Sequence, residues 1–239
     1  MKSLRKNSTR GTFSIRETSA VIDICRNSYG SVLFSMGNTK VICAVSIDTD
    51  VPDFARNKNT GWLTAEYTML PYSTGKRTKR EFSKRDGRSV EIQRLIGRSL
   101  RAGIDLDRFQ GFSMFIDCDV LQADGGTRTA SITGGYIAMK LAVDRMLREG
   151  LLQENPLKGN IAAISIGIVD DEILLDLDYS EDSRADVDMN IVMNSKLELI
   201  EIQGSSEQAP FSVDRMNRMV EIAGKGIKEL MNIQNSCCN

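Results

Sequence analysis

The sequence of 239 residues contains no histidine. Catalytic triads and dyads in which an imidazole is the general base are therefore excluded, and so are histidine ligands to a metal. Acid–base chemistry in this chain must come from carboxylates, lysine, tyrosine or cysteine. The absence of histidine directs attention to the acidic residues.

Cysteine is scarce, with five residues and no Cys-X-X-Cys spacing. Cys25, Cys43 and Cys118 fall in apparent strands, where a reduced cysteine behaves as a small hydrophobic side chain. Cys237 and Cys238 are adjacent near the end of the chain. A structural zinc site is therefore not expected.

Long apolar runs and an excess of one charge are also missing. No stretch approaches the roughly 20 apolar residues of a membrane-spanning helix, and the first residues, MKSLRKNSTRGTFSIRE, have no apolar core of a signal peptide. We expect a cytoplasmic protein with no membrane partner. The net charge of −1 indicates no overall preference for nucleic acid, but the charges are segregated along the chain.

A glycine pair separates a predicted strand from a predicted helix. Residues 112–120 are apolar and β-branched, and from Arg128 apolar residues recur three or four apart. Gly125 and Gly126 lie between these two patterns, where they allow a positive φ and the close approach of a ligand. Because a helix begins there, its unpaired N–H groups favour an anion, and Arg128 adds a bidentate donor.

Two other interpretations of this turn remain open. Gly125 and Gly126 can form an ordinary turn, followed by a solvated Arg128. A nucleotide-dependent kinase with a glycine-rich phosphate loop is a third possibility. That class requires a Gly-Lys-Ser/Thr sequence or a longer glycine loop, which this sequence does not contain.

Charges concentrate in two other stretches. Seven basic residues and two acids lie between Lys76 and Arg88, which predicts either a surface that faces RNA or merely a solvated loop. Nine acids lie between Asp170 and Asp188. Their mutual repulsion requires cations or hydrogen bonds, and oxygen ligands alone favour Mg²⁺ or Mn²⁺. The alternative is a hairpin turn with solvent-facing acids.

The order of elements is strands followed by a helix, and it occurs twice. Three strands are predicted within residues 20–47, a fourth at 61–70, and the helix that starts at Arg128 ends near Gly150. Residues 155–159 mark the best boundary. Beyond it we predict strands at 161–169, 172–178, 188–194 and 197–203, a helix at 211–233 and a frayed end at 235–239.

Three stretches resemble the ribonuclease PH family, the phosphate-dependent exoribonucleases of RNA 3′ ends. They are GRSVEIQRLIGRSLRAGIDL, IDCDVLQADGGTRTASITGG and DLDYSEDSRADVDMN. The resemblance spans about 21–233 and is strongest over 87–134. It implies an α+β, ribonuclease PH-like fold in a single domain, 1–239, built from two pseudo-repeated ββαβ-type halves at about 19–150 and 159–233.

The resemblance also implies a set of site residues. The phosphate-binding positions are Arg88, Gly126, Thr127 and Arg128. The catalytic positions are Asp182 and Asp188, and the ligands of Mg²⁺ or Mn²⁺ are Asp182, Asp188 and Asp178. Separately, the charge of the basic stretch and its position next to Arg88 predict contacts to RNA from Lys76, Arg77 and Arg80.

The implied function is a phosphate-dependent 3′–5′ exoribonuclease. It trims RNA 3′ ends, above all those of transfer RNA precursors, and releases nucleoside diphosphates. The reverse reaction adds nucleotides from diphosphates. The family assembles as a homohexamer, a trimer of dimers. A non-catalytic RNA-binding subunit of such a ring is the alternative. The sequence departs from the family at Tyr72, where arginine is usual, and lacks the usual N-terminal Asp-Gly-Arg.

Overall fold

The computed structural model describes Arg5 and residues 10–79, 87–206 and 210–238. Within these described residues, the first half of the chain contains five strands, three helices and a short 3₁₀ turn, Leu106–Phe109. Its strands are β1 (Thr18–Ile22), β2 (Gly30–Met36), β3 (Thr39–Asp48), β4 (Trp62–Met69) and β5 (Ser113–Gln122). Its helices are α1 (Asp53–Arg56), α2 (Gly87–Arg101) and α3 (Thr127–Arg148).

The second half contains four strands and two helices. The strands are β6 (Ile161–Val169), β7 (Glu172–Leu175), β8 (Val187–Asn194) and β9 (Leu199–Ser206). The helices are α4 (Tyr179–Asp182) and α5 (Val213–Cys237).

The first sheet has the strand order β1-β2-β3-β5-β4. β1, β2 and β3 form the predicted antiparallel meander. β4 pairs in parallel with β5, because α2 returns the chain to the other end of the sheet between them. β5 therefore lies between β3 and β4, and its carboxyl end delivers the chain to the glycine pair.

The second sheet has the order β7-β6-β8-β9 and is antiparallel throughout. Every residue of β6 is buried, because this strand lies between β7 and β8 and also contacts both long helices, α3 and α5. The strand is accordingly a continuous apolar run and not an alternating one.

Helix α3 joins the two halves. It packs against β2 and β3 of the first sheet and against β6 of the second. Its buried residues lie on several sides, from Thr129 to Met146, since the helix is covered by both sheets. One hydrophobic cluster consequently extends from Val32 to Met231.

The predicted fold class is confirmed, but two predicted elements end elsewhere and two short elements were missed. The strand expected at 172–178 ends at Leu175, because Asp176 takes a φ of 56° and Asp178 begins α4. The last helix continues to Cys237 and includes part of the end expected to fray. Two short elements, α1 and the 3₁₀ turn, were not predicted.

Within the described ranges, no helix combines the length and apolar character needed to cross a membrane.

Candidate active site

One cavity of about 630 Å³ brings together residues from three separate parts of the chain. Its lining includes the four predicted phosphate-binding residues and the two predicted catalytic aspartates: Arg88, Gly126, Thr127, Arg128, Asp182 and Asp188. Lys76, from the basic stretch, lines it as well. The cavity thus lies where the glycine turn of the first half faces the acidic stretch of the second.

The glycine pair takes the left-handed conformation that the sequence predicted. Gly125 has a φ of 74° and Gly126 a φ of 65°, and Gly126 is the N-cap of α3. The first N–H groups of the helix have no acceptor within it, and its first turn contains no acidic side chain. The 22-residue helix α3 therefore presents its positive end to the cavity.

Gly125 also holds the two halves of the site together. A Cβ atom at this position would lie 2.5 Å from the carbonyl oxygen of Leu177 and 2.9 Å from the backbone nitrogen of Tyr179. A side chain would force these backbones apart, because neither neighbour is a flexible group. The glycine thus allows the turn before α3 to contact the backbone of residues 177–179, which lead into Asp182.

The side chains of the turn are held by residues from other elements. The hydroxyl of Thr127 lies 2.9 Å from the hydroxyl of Tyr67 on β4. Burial raises the pKa of Tyr67, so its phenol keeps its proton. Nη1 of Arg128 donates to Oε1 of Gln203 on β9, at 2.7 Å. Arg88, in the first turn of α2, has an exposed side chain that lines the cavity.

Asp182 ends the short helix α4 and faces these cations. The helix starts with a capping box between Asp178 and Glu181, which fixes where it begins, and the N–H of Tyr179 donates to Oδ1 of Asp124 before the glycine pair. Burial raises the pKa of the Asp182 carboxyl, although the charges of Arg128, Arg88 and Arg16 act to lower it. A half-buried carboxyl with a raised pKa within electrostatic reach of a phosphate site suits a group that carries a proton.

Asp178 has a different environment from Asp182 and Asp188. Its Oδ1 accepts from the backbone N–H of Glu181 and from the hydroxyl of Ser180. Burial alone would raise the pKa of Asp178, but these hydrogen bonds and the charge of Arg10 bring it below its ordinary value. Asp178 caps α4 and is not part of the cavity lining, so its role as a metal ligand stays a prediction.

Arginines pair with four of the nine acids of the acidic stretch, which the sequence had linked to a metal. These arginines come from the N-terminal segment, from the residues that follow α4, and from α5. The ion pairs join Arg16 and Arg10 to Asp176, Arg5 and Arg10 to Glu181, Arg184 to Asp170, and Arg215 to Asp171. These ion pairs reduce the repulsion among the acids, and the divalent cation stays a prediction.

The donor set that faces the cavity still suits a hard cation. Within residues 10–79, 87–206 and 210–238, no three acidic or cysteine side chains converge closely enough to hold an ion by themselves. Asp182 and Asp188 nevertheless share the cavity. Mg²⁺ is commonly held by one or two carboxylates together with waters and substrate phosphates, and these two residues match that requirement.

Several residues of the site were not singled out from the sequence. Gln203 contacts Arg128, and Tyr67 contacts Thr127. Tyr179 and Ser165 line the cavity. Local patterns could not reveal them, because each belongs to a strand or helix that meets the turn only in the folded chain.

Two of the three predicted RNA-binding residues, Lys76 and Arg77, lie within the described part of the chain. Lys76 and Arg77 are exposed, and Lys76 lines the cavity. Arg80 falls outside the described residues. Of the described basic residues between 76 and 79, Lys76 is thus part of the cavity wall.

An anion-binding helix start opposed by two carboxylates defines a site for phosphoryl transfer. Comparison with known proteins identifies the class. The model of domain 1 of the 3′ exoribonuclease family matches residues 14–143, and the model of domain 2 matches residues 159–226. The chain belongs to this family.

Individual relatives agree over nearly the whole length. The chain is 52% identical over 228 residues to ribonuclease PH of Neisseria meningitidis serogroup C, covering 95% of this chain and 94% of that protein. It is 53% identical over 208 residues to ribonuclease PH of Bacillus pumilus, covering 86% of each.

A solved structure shares the fold at lower identity. A chain of the Archaeoglobus fulgidus exosome with RNA bound to the active site matches with a TM-score of 0.81 at 20% identity, covering 96% of this chain and 94% of that one. Together these relationships confirm the resemblance on which the sequence predictions rested.

Proposed function

We propose that inorganic phosphate, held at the glycine turn, attacks the last phosphodiester of an RNA whose 3′ end enters the same cavity. The chain is a phosphorolytic 3′–5′ exoribonuclease of the nucleotidyltransferase type, in keeping with its identity of about half to ribonuclease PH proteins. The observation that carries the residue assignment is that Arg88, Arg128, Asp182 and Asp188 line one cavity.

The phosphate side of the site is cationic and pre-formed. The start of α3, with Arg128 and Arg88, offers N–H donors and two fixed charges to a dianion. Thr127 can donate its hydroxyl while Tyr67 fixes its position. Because these donors are in place before phosphate arrives, little reorganisation opposes the reaction.

The reaction exchanges one phosphorus–oxygen bond for another. An oxygen of inorganic phosphate forms a bond to the terminal phosphorus, and the bond from that phosphorus to the 3′ oxygen of the preceding nucleotide breaks. Asp182 supplies the proton to the leaving 3′ oxygen, directly or through a water, and its raised pKa favours that role. The products are a nucleoside diphosphate and an RNA one nucleotide shorter.

The same residues serve the reverse direction. The bond broken and the bond formed are of similar energy, so nucleoside diphosphates extend the RNA when phosphate is scarce. Asp182 then accepts the proton of the attacking 3′ hydroxyl. Both directions share one transition state and must depend on the same side chains.

A divalent cation, Mg²⁺ or Mn²⁺, belongs to the proposal. Asp182 and Asp188 would hold it, and it would offset negative charge on the transferring phosphoryl group. Asp178 would support it indirectly, by starting the helix that carries Asp182.

The substrate we propose is the 3′ end of transfer RNA precursors. A structured RNA with a single-stranded 3′ end can place that end in the cavity while its body contacts Lys76 and Arg77 at the entrance. These side chains would contact phosphates, which gives affinity without sequence preference.

We also propose a homohexamer, a trimer of dimers, in the cytoplasm. β9 is the edge strand of the second sheet, and its Leu199 and Ile202 are 49% and 39% exposed, which is consistent with a packing surface. Native mass determination in solution tests the assembly.

The cysteines support the proposed compartment. Cys43 and Cys118 are paired neighbours on adjacent strands and remain buried free thiols, in keeping with a reducing compartment.

The central test uses a 3′-extended transfer RNA incubated with the purified protein and Mg²⁺, with and without phosphate. We expect shortened RNA and nucleoside diphosphates only in the reaction that contains phosphate. Nucleoside monophosphates released without phosphate would indicate hydrolysis instead. RNA retention with no product under any condition would indicate the non-catalytic subunit.

A further inference from the structure

The side-chain amide of Gln203 forms a hydrogen bond with Arg128 on one side and with Glu91 on the other. Oε1 of Gln203 accepts from Nη1 of Arg128 at 2.7 Å, while Nε2 of Gln203 donates to Oε1 of Glu91. The direct distance from Nη1 of Arg128 to Oε1 of Glu91 is 3.9 Å. The amide therefore lies between the cation and the carboxylate.

These three side chains come from three different elements. Arg128 is in the first turn of α3, Glu91 is on α2, and Gln203 is on β9 of the second sheet. The side chain of Arg128 is 17% exposed, whereas that of Glu91 is 48% exposed. The arginine is thus held on its protein side, and the acid is largely in water.

The neutral amide has a consequence for the charge of Arg128. A guanidinium offers five N–H donors, and a carboxylate that paired with it at hydrogen-bonding distance would occupy two of them and compensate its charge. Gln203 occupies a donor on Nη1 with a neutral oxygen. Glu91 is turned toward the amide N–H and its own charge is screened by water. Arg128 therefore keeps donors for an anion in the cavity, and its charge is compensated less than it would be by a carboxylate at hydrogen-bonding distance.

We propose that Gln203 is a positioning residue for phosphate: it orients Arg128 and keeps the carboxylate of Glu91 from pairing with it directly. The inference rests on the proposed function, since it assigns phosphate to Arg128. Gln203 itself does not line the cavity. Its effect on phosphate would pass entirely through the arginine.

The test compares two substitutions at this position. Gln203→Glu places a carboxylate where the amide oxygen now contacts Arg128, so it should raise the KM for inorganic phosphate by about tenfold. Gln203→Leu removes the contact without adding charge, and should raise that KM by only about threefold. In both variants the KM for RNA and the rate at saturating phosphate should stay within about twofold of the parent.

Gln110→Glu is the matched control. Gln110 is exposed and precedes β5, whereas the glycine turn follows it, so this substitution adds the same charge at the far end of a ten-residue strand. It should leave the KM for phosphate unchanged. Gln203 is only partly buried on β9, so we expect its substitution to retain the fold. Thermal unfolding of all three variants checks this.

Two results would overturn the inference. One is a KM for phosphate that responds equally to Gln203→Glu and Gln110→Glu. The other is a rise in the KM for RNA in place of that for phosphate. Arg128→Ala separates this outcome from failure of the proposed function: if Arg128→Ala raises the KM for phosphate and Gln203→Glu does not, Gln203 alone is misassigned.

Discussion

The guanidinium of Arg16 forms a bidentate ion pair with the carboxylate of Asp176. Nη2 of Arg16 lies 2.7 Å from Oδ1 and Nε lies 3.1 Å from Oδ2. Nη1 of the same side chain donates to the carbonyl oxygen of Asp124 at 2.6 Å. One buried arginine therefore connects the turn that would bind phosphate to the segment that leads into Asp182.

The first prediction concerns this connection. Arg16→Met would leave Asp176, whose side chain is fully buried, with less compensation for its charge. Removing one partner of a buried ion pair costs about 3–5 kcal/mol of unfolding free energy. Urea unfolding measures the loss.

Arg56→Met is the control for Arg16. Arg56 pairs with Asp50 and Asp53 on the surface, where all three side chains are at least 60% exposed. Its loss should cost less than about 1 kcal/mol. Equal destabilisation by the two substitutions would show that the Arg16 pair makes no special contribution.

The second prediction concerns phosphate. Arg128→Ala removes a charged donor from the site, and hydrogen bonds to charged groups contribute about 1.5–3 kcal/mol, so the KM for phosphate should rise about 10- to 100-fold. Retention of RNA on a filter should change little. An unchanged phosphate saturation curve would refute the assignment, and Arg98→Ala, on the exposed face of α2, serves as the control.

The third prediction concerns the chemical step. Asp182→Asn keeps the shape of the side chain but removes the proton-carrying oxygen, so we expect the rate to fall by about 10²-fold or more. Phosphorolysis and synthesis from nucleoside diphosphates should fall by the same factor. Retention of either direction at a near-native rate would exclude Asp182 from proton transfer.

The fourth prediction concerns pH and stability. Burial raises the pKa of Asp182 above its ordinary 3.8, so the folded state binds this proton more tightly than the unfolded state. The charged form consequently opposes folding above the raised pKa, and this cost disappears as the pH falls below 3.8.

Asp182→Asn should therefore unfold at a higher urea concentration than the parent at pH 7. The difference should shrink as the pH is lowered toward the ordinary value of the carboxyl. A variant that is less stable than the parent at neutral pH would contradict the direction of the shift. Gain of stability with loss of rate is the exchange expected at a functional site.

The fifth prediction concerns the entrance. If Lys76 and Arg77 contact RNA phosphates, substituting both by alanine should lower the slope of log affinity against log salt by about 0.7 for each contact to a single strand. A full transfer RNA should be affected more than a short oligonucleotide. Lys225→Ala with Lys228→Ala, on the exposed face of α5, removes the same charge elsewhere and should leave the slope unchanged.

An unaltered salt slope with transfer RNA would mean that the described part of the basic stretch is only a solvated loop. The role predicted for Arg80 stays a prediction, as that residue lies outside the described ranges. The dependence of the reaction on phosphate should persist in the variant that lacks Lys76 and Arg77, because Arg88 and Arg128 are retained.

The sequence by itself determined the glycine turn that we propose as the phosphate site. A strand followed by two glycines and a helix allows few conformations, because a positive φ at Gly125 and Gly126 is a local requirement. The resemblance to a family then supplied Asp182 and Asp188. Neither step needed knowledge of distant contacts.

Only the tertiary structure decided which charges meet. Arg16 and Asp176 are 160 positions apart, and Arg128 and Gln203 are 75 apart. Such pairs depend on how two sheets pack around α3 and leave no periodic signal in the chain. From the sequence, the acids of the acidic stretch have no visible partners. Folding supplies arginines for Asp170, Asp171, Asp176 and Glu181 and leaves Asp182 and Asp188 facing the cavity, where a divalent cation stays a prediction.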